Sequence, residues 1–320
     1  NEEIASWSRS LCKEAAEIAR DACDSHTTAD HRRFVLGSMG PGTKLISLDQ
    51  VSWDTMLSSY AESARGLLEG GADAFLIETC QDLLQVKCAI NACLRVLEEA
   101  SRTPQEIPIM VSVTIETSGT MLLGSDIGAV VNALRSYPIF SLGLNCATGP
   151  KEMTKHIEHL SNNWPQKISC VPNAGLPILV EGRTEFPLQP SSLAETVGSF
   201  VEQFGVDIFG GCCGTTTEHI SKLANISQTL QRKRRDFSGW EAGCSSLYSP
   251  MNYRQEQSLF IVGERMNASG SRKFKRLLGE ENVDEMISLA KQQVREGASC
   301  LDINVDTTAR DNAKDMATIV

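Results

Sequence analysis

No run of eighteen apolar residues occurs anywhere in the chain, which excludes a membrane-spanning helix. The opening Asn1-Glu2-Glu3-Ile4 carries neither the basic stretch nor the apolar core of a secretion signal. Positive charge is in short supply: 30 Lys and Arg stand against 40 Asp and Glu, a formal net charge of −10. That balance argues against a phosphate-lined groove and hence against a nucleic-acid partner. The one basic cluster, Arg232-Lys233-Arg234-Arg235, reads as a solvated helix end. Cysteine is plentiful at eleven residues, but regular cysteine spacing is missing. An odd count without a secretion signal speaks against a disulfide scaffold and for a cytoplasmic chain with reduced thiols. What remains is 320 residues, 41% hydrophobic and 22% charged, the composition of an ordinary globular protein.

Short apolar runs alternate with amphipathic stretches. Strands are expected at 33–38, 74–78, 109–114, 139–144, 168–172 and 207–210, with starts roughly 30 to 40 residues apart, as in repeated βα units. A helix is expected over 192–204, where Leu193, Val197, Phe200, Val201 and Phe204 share a face and Ser192 with Glu195 forms a capping box. Thr215 with Glu218 opens the next helix in the same manner. The recurring Gly71-Ala72-Asp73 and Gly205-Val206-Asp207 fit helix ends leading into parallel strands. Polar residues gather at several strand ends, which favours a (β/α)8 barrel over a doubly wound sheet with its single switch point. Residues 1–230 thus form one domain. Residues 231–256, poor in periodicity, are a linker. A second βα sequence occupies 257–320, with a strand at 259–263, a helix at 283–296 and a strand at 299–305. It is too short to close a second barrel.

The most informative stretch is Gly210-Gly211-Cys212-Cys213-Gly214, two thiols between glycines at a strand end. A third thiol, Cys146, follows another strand in Gly143-Leu144-Asn145-Cys146. Three thiolates with an open fourth position match a catalytic zinc site; a structural site would be closed by four protein ligands. A vicinal redox pair is less fitting, because neighbouring cysteines form a strained ring. His219, inside a helix, reads as a surface residue, and Cys12, Cys23, Cys88, Cys93 and Cys170 read as small core hydrophobes. Such a metal suits a thiol substrate, whose pKa it lowers, so the expected chemistry is alkyl transfer to sulfur. Glu78, at the end of its strand, is a candidate for a substrate ammonium and equally for a solvated loop carboxylate.

At these residues a family becomes recognisable. Gly143-Leu144-Asn145-Cys146, Pro172-Asn173-Ala174-Gly175-Leu176-Pro177 and Gly210-Gly211-Cys212-Cys213-Gly214-Thr215-Thr216 resemble the homocysteine-binding zinc barrel of methyltransferases. Gly263-Glu264-Arg265-Met266-Asn267 and Leu301-Asp302-Ile303-Asn304 resemble the first two strand ends of a pterin-binding barrel. The tandem is similar to the cobalamin-dependent methionine synthase family. The resemblance implies zinc on Cys146, Cys212 and Cys213, with the homocysteine sulfur as fourth ligand, and substrate contacts from Glu78 and Asn173. It implies a pterin pocket lined by Glu264, Asn267, Asp302 and Asn304, where methyltetrahydrofolate binds. The methyl group would pass from folate to cobalamin, carried on a module absent from this chain, and then to homocysteine. No separate general acid or base is assigned.

Departures from the family pattern set further expectations. The Asp-Gly turn that opens such barrels does not precede the first expected strand, and residues 1–25 look like the barrel's second helix. The chain is therefore expected to be a fragment lacking the first two strands of one barrel and the last six of the next. Val171 stands where a histidine is common. Betaine- or S-methylmethionine-type homocysteine methyltransferases are the alternative, disfavoured by the pterin-like tail. An inactive zinc-binding fragment is another.

Overall fold

The computed structural model describes residues 7–308 and 310–320, which divide into two compact units. The first holds the residues up to Trp240 together with Cys244–Met251, and the second holds Glu241–Gly243 with Asn252–Val320.

In the first unit, helix α1 (Ser8–His26) leads into β1 (Leu36–Met39), and strands and helices then alternate. They are α2 (Trp53–Glu69), β2 (Ala74–Cys80), α3 (Leu83–Glu99), β3 (Ile109–Val113), α4 (Ile127–Leu134), β4 (Ser141–Asn145), α5 (Pro150–Asn163) and β5 (Lys167–Val171). A hairpin, β6 (Ile178–Val180) and β7 (Arg183–Glu185), interrupts the rhythm before α6 (Pro190–Phe204), β8 (Ile208–Phe209) and α7 (Thr217–Ser227). Six strands form one parallel sheet in the order β1-β2-β3-β4-β5-β8, which is chain order throughout. Sequential order without reversal is barrel-type winding, and it leaves no switch point. β3 and β4 are buried at every residue, as expected of parallel strands covered on both faces. Among the described residues the sheet does not close: β1 and β8 each pair on one side only. Leu36 of β1 and Ile208 and Phe209 of β8 nonetheless border the same cavity of about 1020 Å³, so the sheet is curled into a partial barrel.

The core lies between the sheet and its helices. Helix α3 contributes Val86, Ala89, Ile90, Cys93, Val96 and Leu97, and these meet Phe75, Ile77, Ile109 and Val111 from the strands. Cys88 and Cys170 are fully buried and act as core hydrophobes, as the pattern suggested. Asp82 and Asp126 cap α3 and α4 by accepting from the N–H of Leu84 and of Ala129.

Several local expectations shift. The first strand begins at Leu36, not at residue 33, because the Val35 N–H is taken by the Asp73 carboxylate and Phe34 turns outward. α6 begins at Pro190 with Gln189 as cap, so the Ser192–Glu195 capping box does not form; proline's fixed φ presets the first helical position. α7 is capped by Thr216, one residue later than expected, and its box partner is His219.

The basic cluster is not simply solvated. Asp207, with a side chain only 5% exposed, sits under Lys167, Arg232 and Arg235 at 2.9, 3.2 and 3.2 Å. Arg235 is itself 9% exposed and also donates to the carbonyls of Trp164 and Gln166. The carboxylate further accepts from the Ile168 N–H, so one residue ties together the starts of β5 and β8 and the chain after α7. Asp207→Ala should cost about 3–5 kcal/mol, because it strands a buried guanidinium. Lys167→Ala, removing a half-exposed partner, should cost under about 1 kcal/mol. Urea unfolding of both variants checks the contrast, and equal midpoints would refute it.

Two three-residue strands, β9 (Gly243–Ser245) and β10 (Pro250–Asn252), lie in the stretch between the two βα regions. In the second unit, β11 (Val262–Asn267) pairs in parallel with β12 (Cys300–Asn304). Helices α8 (Arg272–Gly279), α9 (Val283–Arg295) and α10 (Asn312–Ile319) complete it. Its core is Met266, Phe274, Leu277, Leu278, Met286, Leu289 and Val305. β11 starts at Val262, not at residue 259. Leu259 is 82% exposed, and it is Gly263 that lies against Leu301. Helix α8 was not expected from the sequence: its apolar residues Phe274, Leu277 and Leu278 span little more than one turn.

Candidate metal centre

The centre lies at the C-terminal ends of β2, β4, β5 and β8, the face on which barrel enzymes carry their chemistry. β4 ends at Asn145, and the chain turns sharply there, with Cys146 and Ala147 both left-handed at φ 63° and 56°. The Cys146 N–H still reaches the Val171 carbonyl at 3.3 Å, so the position where a histidine was expected contributes its backbone. After β8 the Gly210-Gly211-Cys212-Cys213-Gly214 loop folds back over the end of β5. The Cys212 N–H donates to the Pro172 carbonyl at 2.8 Å, and the Cys213 N–H to the Asn173 Oδ1 at 3.0 Å. Gly214 has φ +75°, and a Cβ there would stand 2.2 Å from the Phe186 ring, so glycine is required on both counts.

These turns bring three sulfur atoms together. Cys146 Sγ is 3.7 Å from Cys213 Sγ, Cys212 Sγ is 3.9 Å from Cys213 Sγ, and all three lie within 4.8 Å of one another. With Zn–S bonds of about 2.3 Å, a tetrahedral ion spaces its sulfurs about 3.8 Å apart. The three thiols therefore outline one face of such a tetrahedron and leave its fourth corner to another ligand. Among the described residues this is the one cluster of three or more His, Cys, Asp and Glu able to hold a metal ion.

Without a metal, two of the three sulfurs are held as neutral thiols. Burial first, then the charges of Cys146 and Cys213, pushes the Cys212 thiol up to about 12, and burial followed by Cys146 raises Cys213. Cys212 and Cys213 are therefore protonated at neutral pH in the metal-free site, and a divalent ion must displace those protons. Loading should release at least about two protons per zinc at pH 7, from Cys212 and Cys213. Uptake should strengthen as pH rises and weaken as it falls. Titration calorimetry in buffers of different ionisation enthalpy measures the number, and a value near zero would exclude thiolate ligation.

The remaining expected residues fall as follows. Glu78 lies within β2, which runs on to Cys80; it is half-buried, and Ser38 Oγ donates to its carboxylate at 2.5 Å. Asn173 is 3% exposed, and its side-chain oxygen supports the Cys213 loop. His219 is buried, contrary to expectation. Its Nδ1 meets the Thr216 N–H and hydroxyl at 3.1 and 2.9 Å, and its Nε2 lies 2.9 Å from the Leu188 carbonyl. It thereby holds the start of α7, just after the cysteine loop, and is not a ligand. Sequence reasoning passed over two residues. Asn145 is fully buried and binds Thr79 through both ends of its carboxamide. Thr79 is left-handed at φ 58°, a costly conformation for a β-branched residue, of order 1–3 kcal/mol. The one available signal was a polar residue ending an otherwise apolar strand.

In the second unit, Asn267 Nδ2 donates to Asp302 Oδ2 at 2.9 Å, joining the ends of β11 and β12. Asn267 Oδ1 accepts from the N–H groups of Ser269 and Gly270, and Asn304 Oδ1 accepts from the Asp306 N–H. The exposed Glu264 carboxylate stands beside Gly270. Three of these four expected residues are thus held in hydrogen bonds at two adjacent strand ends.

The homocysteine S-methyltransferase family profile matches residues 1–227, and the pterin binding enzyme profile matches residues 263–320. Methionine synthase of Mycobacterium leprae is 45% identical over 319 residues, and that of Mycobacterium tuberculosis is 44% identical over 314. The chain is covered to 98% in both, yet it spans only 26% of either relative's length. The homocysteine methyltransferase MmuM of Escherichia coli, in its apo form, superposes with a TM-score of 0.54 at 24% identity. That match covers 69% of this chain and 74% of MmuM, and its metallated form gives 0.54 at 23% identity. At that identity the likeness speaks for the fold alone.

Proposed function

From the premise that the chain belongs to the homocysteine S-methyltransferase family over residues 1–227, we propose that its first unit methylates the thiol of homocysteine, giving methionine. The observation that carries this reading is the convergence of Cys146, Cys212 and Cys213, with sulfur spacings of 3.7 and 3.9 Å and one open corner. The donor set, three thiols on two strand ends, fits zinc. When bound, zinc would lower the pKa of a substrate thiol and hold it as a nucleophile at neutral pH.

The chain's own residues orient that substrate. Glu78, whose carboxylate accepts from Ser38 Oγ, would offer that carboxylate to the amino group. Asn173 and Pro172 hold the cysteine loop by their backbone and side-chain contacts, so the ligand positions are set before substrate arrives. The methyl group is supplied by methylcobalamin on a module outside this chain, with methyltetrahydrofolate as its source. The match of 263–320 to pterin binding enzymes supports the folate assignment and weighs against a betaine or S-methylmethionine donor. In the second unit Glu264, Asn267, Asp302 and Asn304 would supply part of the pterin pocket. A (β/α)8 barrel would need two strands beyond the six described here, and we assign these to the longer protein that the relatives' length implies. A cytoplasmic setting belongs to the same reading and is supported by eleven free thiols. No helix among the described residues is long and apolar enough to cross a membrane.

The test supplies zinc-loaded chain with homocysteine and free methylcobalamin and follows methionine by mass spectrometry. Methionine should form above the protein-free rate and fall at least tenfold in Cys146→Ala. Equal formation by parent and variant, or none by a fully zinc-loaded parent, would overturn the proposal.

A further inference from the structure

Asn145 belongs to no expected ligand set, yet its carboxamide connects both halves of the centre. Its orientation is fixed by chemistry. The Thr79 N–H is an obligate donor 2.9 Å from one end, so that end is the oxygen and the other must be the NH2 group. One hydrogen of that group goes to Thr79 Oγ1 at 2.8 Å, and Nδ2 also lies 4.0 Å from Cys212 Sγ. The residue has no measurable exposure, so water does not compete for these contacts.

What Asn145 grips on the Thr79 side is the irregular end of β2. The register between β2 and β3 slips between Ile77 and Cys80, and Thr79 within the slip is left-handed. Such bulges re-aim side chains beside active sites, and Glu78 lies within this one, next to Thr79. On the other side Asn145 is bonded covalently to Cys146, itself left-handed, and its main-chain carbonyl accepts from Thr114 Oγ1 at 3.1 Å. One residue thus joins Thr79 at the end of β2 and the Cys212 sulfur through its side chain, and the Cys146 turn through its backbone.

We propose that Asn145 is a positioning residue that clamps the Glu78–Thr79 bulge in its substrate-facing conformation and donates an N–H to the Cys212 sulfur. This rests on the methyl-transfer reading for the identity of the substrate. The Cys212 contact stands apart from that reading. An N–H directed at a thiolate draws charge from the sulfur and so weakens its donation to a bound ion, which is read directly in the spectrum of the cobalt(II)-loaded protein.

The experiment uses the whole chain as parent, Asn145→Ala and Asn145→Asp, with circular dichroism confirming the fold. Asn145→Ala should keep one metal per chain yet bind homocysteine at least tenfold more weakly by calorimetry. Its thiolate-to-cobalt charge-transfer band should shift to lower energy. Asn145→Asp retains an acceptor for the Thr79 N–H but replaces the donor with a negative charge, so the band should shift further while homocysteine affinity falls less than in the alanine variant. If the alanine variant fails to fold, the aspartate variant carries the test through the same band. An unshifted band in the folded variants overturns the inference, as does homocysteine affinity within twofold of the parent in Asn145→Ala. A metal-loaded parent that binds no homocysteine overturns the substrate reading instead, and the cobalt band still decides the sulfur contact.

Discussion

Cys212→Ala should reduce bound zinc from about one ion per chain to less than about a tenth of that, while Cys88→Ala retains it in full. Both residues are cysteines in one unit, so the pair isolates position from composition. Cys88 is fully buried on α3 within the hydrophobic core, its sulfur 3.8 Å from the Trp53 carbonyl, and its loss removes core volume at a cost of roughly 1 kcal/mol. Cys212 is 3.9 Å from Cys213 and within 4.8 Å of Cys146. Without it two thiolates remain, too few to hold zinc against dialysis. Metal analysis after exhaustive dialysis gives the answer, and matching zinc content in the two variants would sink the assignment. Methyl transfer should fall with the zinc in Cys212→Ala and persist in Cys88→Ala.

Gly143→Ala should lower stability by about 3 kcal/mol or more, whereas Gly40→Ala should stay within about 0.5 kcal/mol of the parent. Gly143 is in the middle of β4, directly opposite Ser169 of β5. A Cβ at Gly143 would stand 2.0 Å from Ser169 Oγ, 2.1 Å from its carbonyl oxygen and 2.6 Å from its carbonyl carbon. The hydroxyl can rotate away, but the backbone atoms cannot, so these two adjacent strands must part and lose ladder hydrogen bonds. Gly40 has nothing within 4 Å of the same added atom. Urea midpoints at matched m-values decide it, and coincident curves for the two variants would show that β4 and β5 separate freely. Because Asn145 and Cys146 follow on the same strand, zinc affinity should weaken in Gly143→Ala as well.

How far the sequence reveals all this depends on the range of the interaction. β3 and β4 were legible because their residues are buried on both faces, and an apolar run needs no partner to be noticed. The three thiols were legible because glycines flank two of them and an apolar strand precedes the third. The start of β1 was misplaced because a side chain 38 positions away, Asp73, takes the Val35 N–H. Arg235 read as a solvated charge because its carboxylate partner, Asp207, comes 28 positions earlier. His219 read as surface because its Leu188 contact spans 31 positions. Asn145 escaped notice because its grip on Thr79 bridges 66 positions and has no local periodicity. Resemblance added homocysteine as the fourth ligand and the pterin-pocket residues, but nothing in it told how the backbone of the thiols would be held.

The left-handed backbone at Thr79, Cys146 and Ala147 bears on protein engineering. A designer who copied only the three cysteines into another barrel would place them on relaxed strand ends, where the sulfurs diverge. The transferable object is larger: the Asn145 carboxamide with its bulged neighbour strand, the Pro172–Asn173 corner that receives the cysteine loop, and Phe186 seated on Gly214. A recipient scaffold would have to acquire the supporting turns before the thiols, and its success could be scored by S–S spacing before any metal is added.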